Sequence, residues 1–252
     1  MPHPSGVYEY AKKEFGTDDY GFVMGNFEVF MEEVRELPVN QIINGDPLEV
    51  MFGIKSESVD LIFADFPFRP KGVKKAEFLD WNRRLAREFE RLLKETGSLY
   101  ILNNPFNVVS TLAIYTELFH FRNMIIIPRH YKYVPFGGKM FAMRHNCLLF
   151  FVKNKEKYVF NKDYGKFTDV WDDIHYAVRG KHTGSIPEEI VKRAILASTN
   201  EGDLVLDPFV GFGTSAIVAK KLNRRFIGID IDENHCKIAR DKLGKIKEEP
   251  NL

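Results

Sequence analysis

Three acidic stretches carry the side chains that could do chemistry. The first is Asp65-Phe66-Pro67-Phe68, which directly follows a buried-type strand, Val59-Asp60-Leu61-Ile62-Phe63-Ala64. Loops at the carboxyl ends of strands are where open α/β sheets bind ligands. An acid at that place, then a proline-stiffened turn and an aromatic ring, suits a planar ring bearing an amine. Asp65 would accept hydrogen bonds from the amine and Phe68 would stack on the ring. The alternative is a strand ending in a polar turn with one packed Phe, and these four residues alone do not separate the two.

The second stretch is Leu206-Asp207-Pro208-Phe209-Val210-Gly211-Phe212-Gly213-Thr214, which reads as strand, glycine turn, helix. Gly211 and Gly213 allow close backbone approach and positive φ. No Gly-Lys-Ser/Thr follows, so this is not a nucleoside-triphosphate loop, and the spacing is not G-x-G-x-x-G. An acid at the strand end, facing a helix N-terminus, suits a ligand with a positive amine better than a phosphate. The third stretch is Gly228-Ile229-Asp230-Ile231-Asp232. Its strand-end Asp230 is placed to take ribose hydroxyls, and Asp232 to cap the following helix. Taken singly, each acid is as well explained as a turn or cap residue; the glycine turn and the ribose acid together favour a ligand.

The elements that must position these residues alternate between strand and helix. Strands are expected at 41–46, 59–64, 98–102, 123–127, 147–152, 204–206 and 225–229. Helices are expected at 47–53, 76–93 (closed by Gly97), 108–119, 187–198, 214–222 and from 233 to 243 or beyond. Asp46 reads as an N-cap ahead of Pro47. Such alternation predicts an α/β fold, a doubly wound and mostly parallel sheet covered on both faces. Residues 1–39 read as an accessory arm, 40–127 and 182–252 as two halves of one domain, and 128–181 as an insertion that includes the strand 147–152. That insertion holds eleven Lys and Arg against five Asp and Glu, a local balance of +6 where the whole chain of 252 residues carries +1.

Composition limits the classes open to the chain. A hydrophobic fraction of 44% and a charged fraction of 28% are ordinary for a soluble domain. No apolar run approaches the roughly 20 residues of a membrane span, and the N-terminus lacks a secretory signal. Two cysteines are too few for a disulfide scaffold or zinc site, which predicts a reducing, cytoplasmic compartment. The histidines show no metal spacing, so no metal is expected.

Asp207-Pro-Phe-Val-Gly-Phe-Gly-Thr214 resembles the S-adenosylmethionine loop, D-P-F-x-G-x-G-T, of the amino-group DNA methyltransferases. Asp65-Phe-Pro-Phe68 resembles their catalytic D/N/S-P-P-Y/F. The catalytic motif precedes the cofactor loop, the permuted order of that family's beta group. Asn44-Gly45-Asp46, Asp169-Val170-Trp171 and His182-Thr-Gly-Ser-Ile-Pro187 echo further motifs, so the likeness spans roughly residues 40–243. It implies a seven-stranded, Rossmann-like sheet of the class I methyltransferase type and S-adenosylmethionine as cofactor. Asp46, His182, Ser185, Asp207, Pro208, Phe209, Gly211, Gly213, Thr214, Asp230 and Ile231 are the implied cofactor residues.

The implied reaction is methyl transfer to an exocyclic amine of a flipped base. Asp65 accepts one amine proton, the Phe66 carbonyl the other, Pro67 orients that carbonyl, and Phe68 stacks on the base. Asp at position 65 favours adenine N6, with cytosine N4 the alternative. Cytosine-C5 chemistry needs a Pro-Cys nucleophile, which neither Cys147 nor Cys236 provides. Position 66 departs from the family, which has Pro there. Because Pro67 still directs residue 66 toward extended dihedrals, Phe66→Pro is expected to leave activity intact or raise it. Region 128–181 stands in the place of the target-recognition region. Arg129, Lys132, Lys139 and Arg144, interleaved with aromatics, are the expected phosphate contacts, with Arg69 and Lys71 after the catalytic turn. Expected partners are double-stranded DNA and no membrane; a homodimer and a cognate restriction endonuclease are compatible with the family. An RNA methyltransferase and a DNA-binding relative without turnover are the competing readings.

Overall fold

A computed structural model describes residues 39–67, 72–133, 139, 141–174 and 186–246, the side chains of 130–133 and 165–166 excepted. The expected N-terminal arm, Val39 apart, lies outside these residues.

Six consecutive buried residues followed by a half-buried acid make Val59–Asp65 the central strand, β2. Burial on both faces suits such a continuous run to the middle of a parallel sheet. Around it the chain forms β1 (Gln41–Asn44), α1 (Pro47–Phe52), α2 (Lys75–Leu92), β3 (Leu93–Asn103), α3 (Val108–Tyr115), β4 (His120–Tyr133) and β5 (Met143–Val152). A 3-10 turn at Lys162–Lys166 leads to α4 (Glu188–Ser198), β6 (Leu204–Asp207), α5 (Thr214–Lys221), β7 (Arg225–Asp230) and α6 (Glu233–Gly244). These strands form one seven-stranded sheet in the order β1-β7-β6-β2-β3-β5-β4. Every pairing from β1 across to β3 is parallel, while β5 runs antiparallel to both β3 and β4. The expected doubly wound α/β sheet is therefore present, with a single reversed strand.

Between β6 and β2 the order of winding reverses: the chain leaves β6 for β7 on one side and β2 for β3 on the other. The crevice above that point is where such sheets bind ligands. Asp207 and Asp65 end these two neighbouring strands. Alternating residues of β2 face opposite layers. Leu61 and Phe63 pack with Ile190, Val191 and Ala194 of α4. On the other side the ring of Tyr115, from α3, meets Phe89 of α2 at 6.2 Å and Phe151 of β5 at 6.0 Å.

Two differences from expectation have physical reasons. The helix expected to end at residue 93 ends at Leu92, but Gly97 does not close it, because Leu93 is already extended (φ −69°, ψ 136°). The β2–β3 register jumps from Val59↔Leu93 to Leu61↔Ser98, so β3 bulges there. Gly97 sits in that bulge, where a Cβ would lie 2.9 Å from the Lys94 carbonyl. Lys153 Nζ donates to the carbonyls of Glu90 and Leu93 at 2.8 Å, closing the helix end in place of a glycine cap. The second difference is that β4 and β5 outrun their apolar cores. Their polar ends, residues 128–133 and 143–146, carry the sheet into the expected insertion and leave a shorter connection between Tyr133 and Met143. The polypeptide after β5 then returns to the sheet. Trp171 and Ile174 are buried in the core, and Val170 bridges to Ile126 beside β4.

Candidate active site

Asp65 is half-buried at the tip of β2. Among the described residues its carboxylate accepts no hydrogen bond. Asp60, at the foot of the same strand, behaves oppositely: its two oxygens accept from Lys94 Nζ at 2.8 and 2.9 Å, and one also from the Leu204 N–H at 2.9 Å. One acid is a structural tie and the other is left open. Burial pushes the Asp65 carboxyl up to about 7, and the guanidinium charge of Arg129 acts against that rise. Arg129, expected as a phosphate contact, is placed by the fold where its charge acts on Asp65.

Asp207 is buried, and its oxygens are engaged. Oδ1 accepts from the Phe209 N–H at 2.9 Å, and Oδ2 accepts from the Ser215 hydroxyl. Burial pushes its carboxyl up to about 7 as well; those two hydrogen bonds oppose the rise, while the charges of Asp65 and Asp230 add to it. Asp207 therefore braces the glycine turn from below, and Ser215 is a supporting residue that the sequence did not mark. Its only signal was its place one residue after the motif's threonine.

The glycine turn is shaped by two positive-φ residues, Gly211 at 51° and Gly213 at 89°. A Cβ on Gly213 would lie 2.8 Å from the Ala239 Cβ of α6, so the turn needs glycine for packing as well as for its dihedrals. Gly213 caps α5, whose first-turn N–H groups are oriented toward the crevice by the helix direction. Beyond the turn, Asp230 Oδ2 accepts from the Gly211 N–H at 2.9 Å and its Oδ1 from the Asp232 N–H at 2.8 Å. Asn44 Nδ2 donates to the carbonyls of Asp230 and Ile231 at 3.1 and 3.0 Å, stitching β1 to the end of β7. Ile231 stands 73% exposed beside the acid, an apolar side chain at the mouth of the turn. Asp46 and Asp232 are N-caps of α1 and α6, accepting from the Leu48 and Asn234 N–H groups at 2.8 Å. Pro208 is buried, and Phe209 and Thr214 are half-buried in the turn.

The fold thus gathers Asp65, Phe66, Asp207, Phe209, Gly211, Gly213, Thr214, Asp230 and Ile231 along one edge of the sheet. Asp65, Asp207 and Asp230 are three acids close enough for both of the others to raise Asp207. Carboxylates grouped in this way call for a cation. S-Adenosylmethionine carries two positive centres, a sulfonium and an ammonium, together with a ribose and an adenine. The acids, the bare backbone at Gly211 and the exposed Ile231 fit that set of groups. Phe68, Arg69 and Lys71 lie outside the described residues, as do His182 and Ser185. Lys139 and Arg144 are exposed and Arg129 is half-buried; of Lys132 only the backbone, on β4, is described. Both cysteines are buried, and burial pushes the Cys147 thiol up to about 11 and raises Cys236 too, as befits core side chains. No helix among the described residues is long and apolar enough to cross a membrane.

Residues 59–241 match the protein family described as DNA methylase, which groups N6 and N4 methyltransferases. The Type II methyltransferase M2.DpnII of Streptococcus pneumoniae is 33% identical over 237 residues, covering 80% of this chain and 88% of that protein. The DNA adenine methyltransferase YhdJ of Escherichia coli (strain K12) is 32% identical over 244 residues, covering 80% and 82%. The crystal structure of the M1.HpyAVI-SAM complex is similar with a TM-score of 0.64 at 25% identity, covering 81% of this chain and 98% of that one.

Proposed function

The chain belongs to the DNA methylase family, an S-adenosylmethionine-dependent DNA methyltransferase, and from that premise we propose that it methylates the N6 amine of adenine in duplex DNA. The observation that carries the reading is the open carboxylate of Asp65, raised to about 7 at the tip of the central strand and beside the cofactor loop. The adenine preference draws support from the Asp at this position and from the likeness to YhdJ, a DNA adenine methyltransferase.

An exocyclic amine is a poor nucleophile because its lone pair is delocalised into the ring. Asp65 Oδ accepts a hydrogen bond from one amine proton and the Phe66 carbonyl accepts from the other. Both draw the nitrogen toward pyramidal geometry and localise the pair. S-Adenosylmethionine held by the turn would supply the methyl group from its positively charged sulfur, which would leave as a neutral thioether with the bonding pair. The proton shed by nitrogen passes to Asp65 or, through it, to water. Little base strength is needed; alignment accounts for most of the rate. Asp207 and Asp230 fix the turn that holds the cofactor, with Asp230 offering its remaining lone pairs to ribose hydroxyls. Asp46 serves through α1, which it caps. Phe68, His182 and Ser185 keep the roles the family motifs imply: stacking on the base for the first, the cofactor edge for the other two.

The connection between β4 and β5 serves as target-recognition region within 128–181. Asn103, the last residue of β3, pairs with Cys147, and β5 continues four residues beyond it to Met143. At roughly 3.3 Å per residue β5 itself projects about 13 Å past the end of β3. Lys139 precedes β5 and Arg144 lies on it, with Phe141 98% exposed between them, while Arg129, Lys132, Arg69 and Lys71 are the further phosphate contacts. Residues 40–127 and 182–252 act as catalytic and cofactor halves, with 1–39 an accessory arm. Within this proposal the chain works in the cytoplasm, pairs with a second copy of itself and protects DNA from a cognate restriction endonuclease. The test is transfer of a labelled methyl group to duplex DNA. Label on DNA supports the reading; label on RNA alone would replace it, and tight cofactor and DNA binding without label would make the chain a binding module.

A further inference from the structure

Phe66 occupies the position where the family motif carries proline, and its side chain reaches where a proline cannot. Its ring centre lies 6.3 Å from Trp81 and 6.4 Å from Phe89, both on α2, and 6.0 Å from Tyr115 on α3. The nearest ring is Phe209 of the cofactor turn, met edge-on at 5.5 Å. Trp81 also touches Phe209, at 5.7 Å. One side chain therefore joins the cofactor turn to the helices under the catalytic loop, and its own peptide carries the carbonyl that follows Asp65. Pro67 restricts the backbone of Phe66, and rings on four sides restrict its side chain. A narrow cleft lined by Phe66, Asn82, Asn103, Asn107 and Ser110 lies behind the ring. Removing the ring would give the catalytic loop room to relax toward it.

We propose that Phe66 is a positioning residue that couples the cofactor turn to the catalytic acid: Phe209 sets the Phe66 ring, and the ring sets Asp65 and the Phe66 carbonyl. This rests on the methyltransferase reading and replaces the expectation that Phe66→Pro is harmless. Interdigitated rings transmit small displacements because a close-packed cluster has no slack. A misplacement of about 1 Å at the acceptors is enough to slow an alignment-limited transfer about a hundredfold.

The test compares Phe66→Leu and Phe66→Pro with Phe119→Leu. Phe119 packs on Tyr115 and Phe151 in the same layer, at 6.1 and 6.4 Å, away from Phe209. With saturating cofactor and duplex DNA, both Phe66 variants should lose about tenfold or more in kcat while the cofactor KM moves less than about threefold. Phe119→Leu should lower the melting temperature comparably yet keep kcat. In the Phe66→Leu/Phe209→Leu double variant the two kcat losses should fail to multiply. A readout without turnover uses Trp171→Phe, which leaves Trp81 the sole tryptophan. Adding S-adenosylhomocysteine should change Trp81 emission, and Phe66→Leu should weaken that change. Wild-type kcat in Phe66→Pro would overturn the proposal. So would a loss confined to the cofactor KM, or independent, multiplying losses. A wild-type protein that methylates nothing would instead defeat the functional reading, and the Trp81 titration would still decide the coupling.

Discussion

At Asp65 two requirements oppose each other. In the proposed reaction the acid must be shielded to meet a flipped base, yet it accepts most strongly from an amine when ionised. Burial holds its carboxyl near 7 and Arg129 pulls the other way, so the free enzyme at neutral pH stands close to its titration point. The kcat/KM profile should accordingly rise with pH through about 7. The kcat profile should turn at lower pH, because the cofactor's positive charge favours the carboxylate. Asp65→Asn should remove that acidic limb and keep part of the activity, since the amide oxygen still accepts; Asp65→Ala should cost about a hundredfold or more in kcat. The sign for stability follows from the same shift. Asp65 and Asp207 sit above their usual 3.8 in the folded chain, so the unfolded chain ionises first as pH rises. Their contribution to stability is intact below that usual value and is lost as pH climbs to about 7. Melting of the ligand-free protein should therefore fall across this window, with a shallower slope in Asp65→Asn. Most of these residues were legible because motif spacing marks acids at strand ends. Ser215 and the second role of Arg129 were not, since a hydroxyl behind a turn and a charge brought from another strand become neighbours only in the folded sheet.

Among the elements, the turn between β6 and α5 is the least tolerant of change. Gly213 needs a φ of 89° and leaves no room beside Ala239. Gly213→Ala should cost about 2–4 kcal/mol, from the left-handed backbone and the overpacked helix contact together. That corresponds to a fall of about 6 °C or more in melting temperature, with cofactor affinity reduced in parallel, as calorimetry and equilibrium binding would show. Element order and the parallel sheet were legible because apolar runs and amphipathic spacing repeat along the chain. Boundaries were less so where tertiary contacts set them. Lys153 closes α2 from another strand, and β4 and β5 extend as polar ladders that carry no apolar signal.

For the whole molecule, net charge says little: +1 overall conceals the +6 of residues 128–181. The exposed Arg144 lies on β5, and the exposed Lys139 precedes that strand. Reversing either to Glu should weaken binding to every DNA sequence alike and lower the salt slope by about 1 each. Cofactor affinity, set on the other half of the sheet, should not change. The central claim joins both halves: an acid at the tip of β2 presents an adenine amine to a methyl donor held by the β6 turn. Its most direct test is mass spectrometry of nucleosides from duplex DNA incubated with the protein and S-adenosylmethionine. N6-methyladenine should accumulate with wild type and vanish with Asp65→Ala. N4-methylcytosine in its place, or N6-methyladenine that persists without Asp65, would contradict the account.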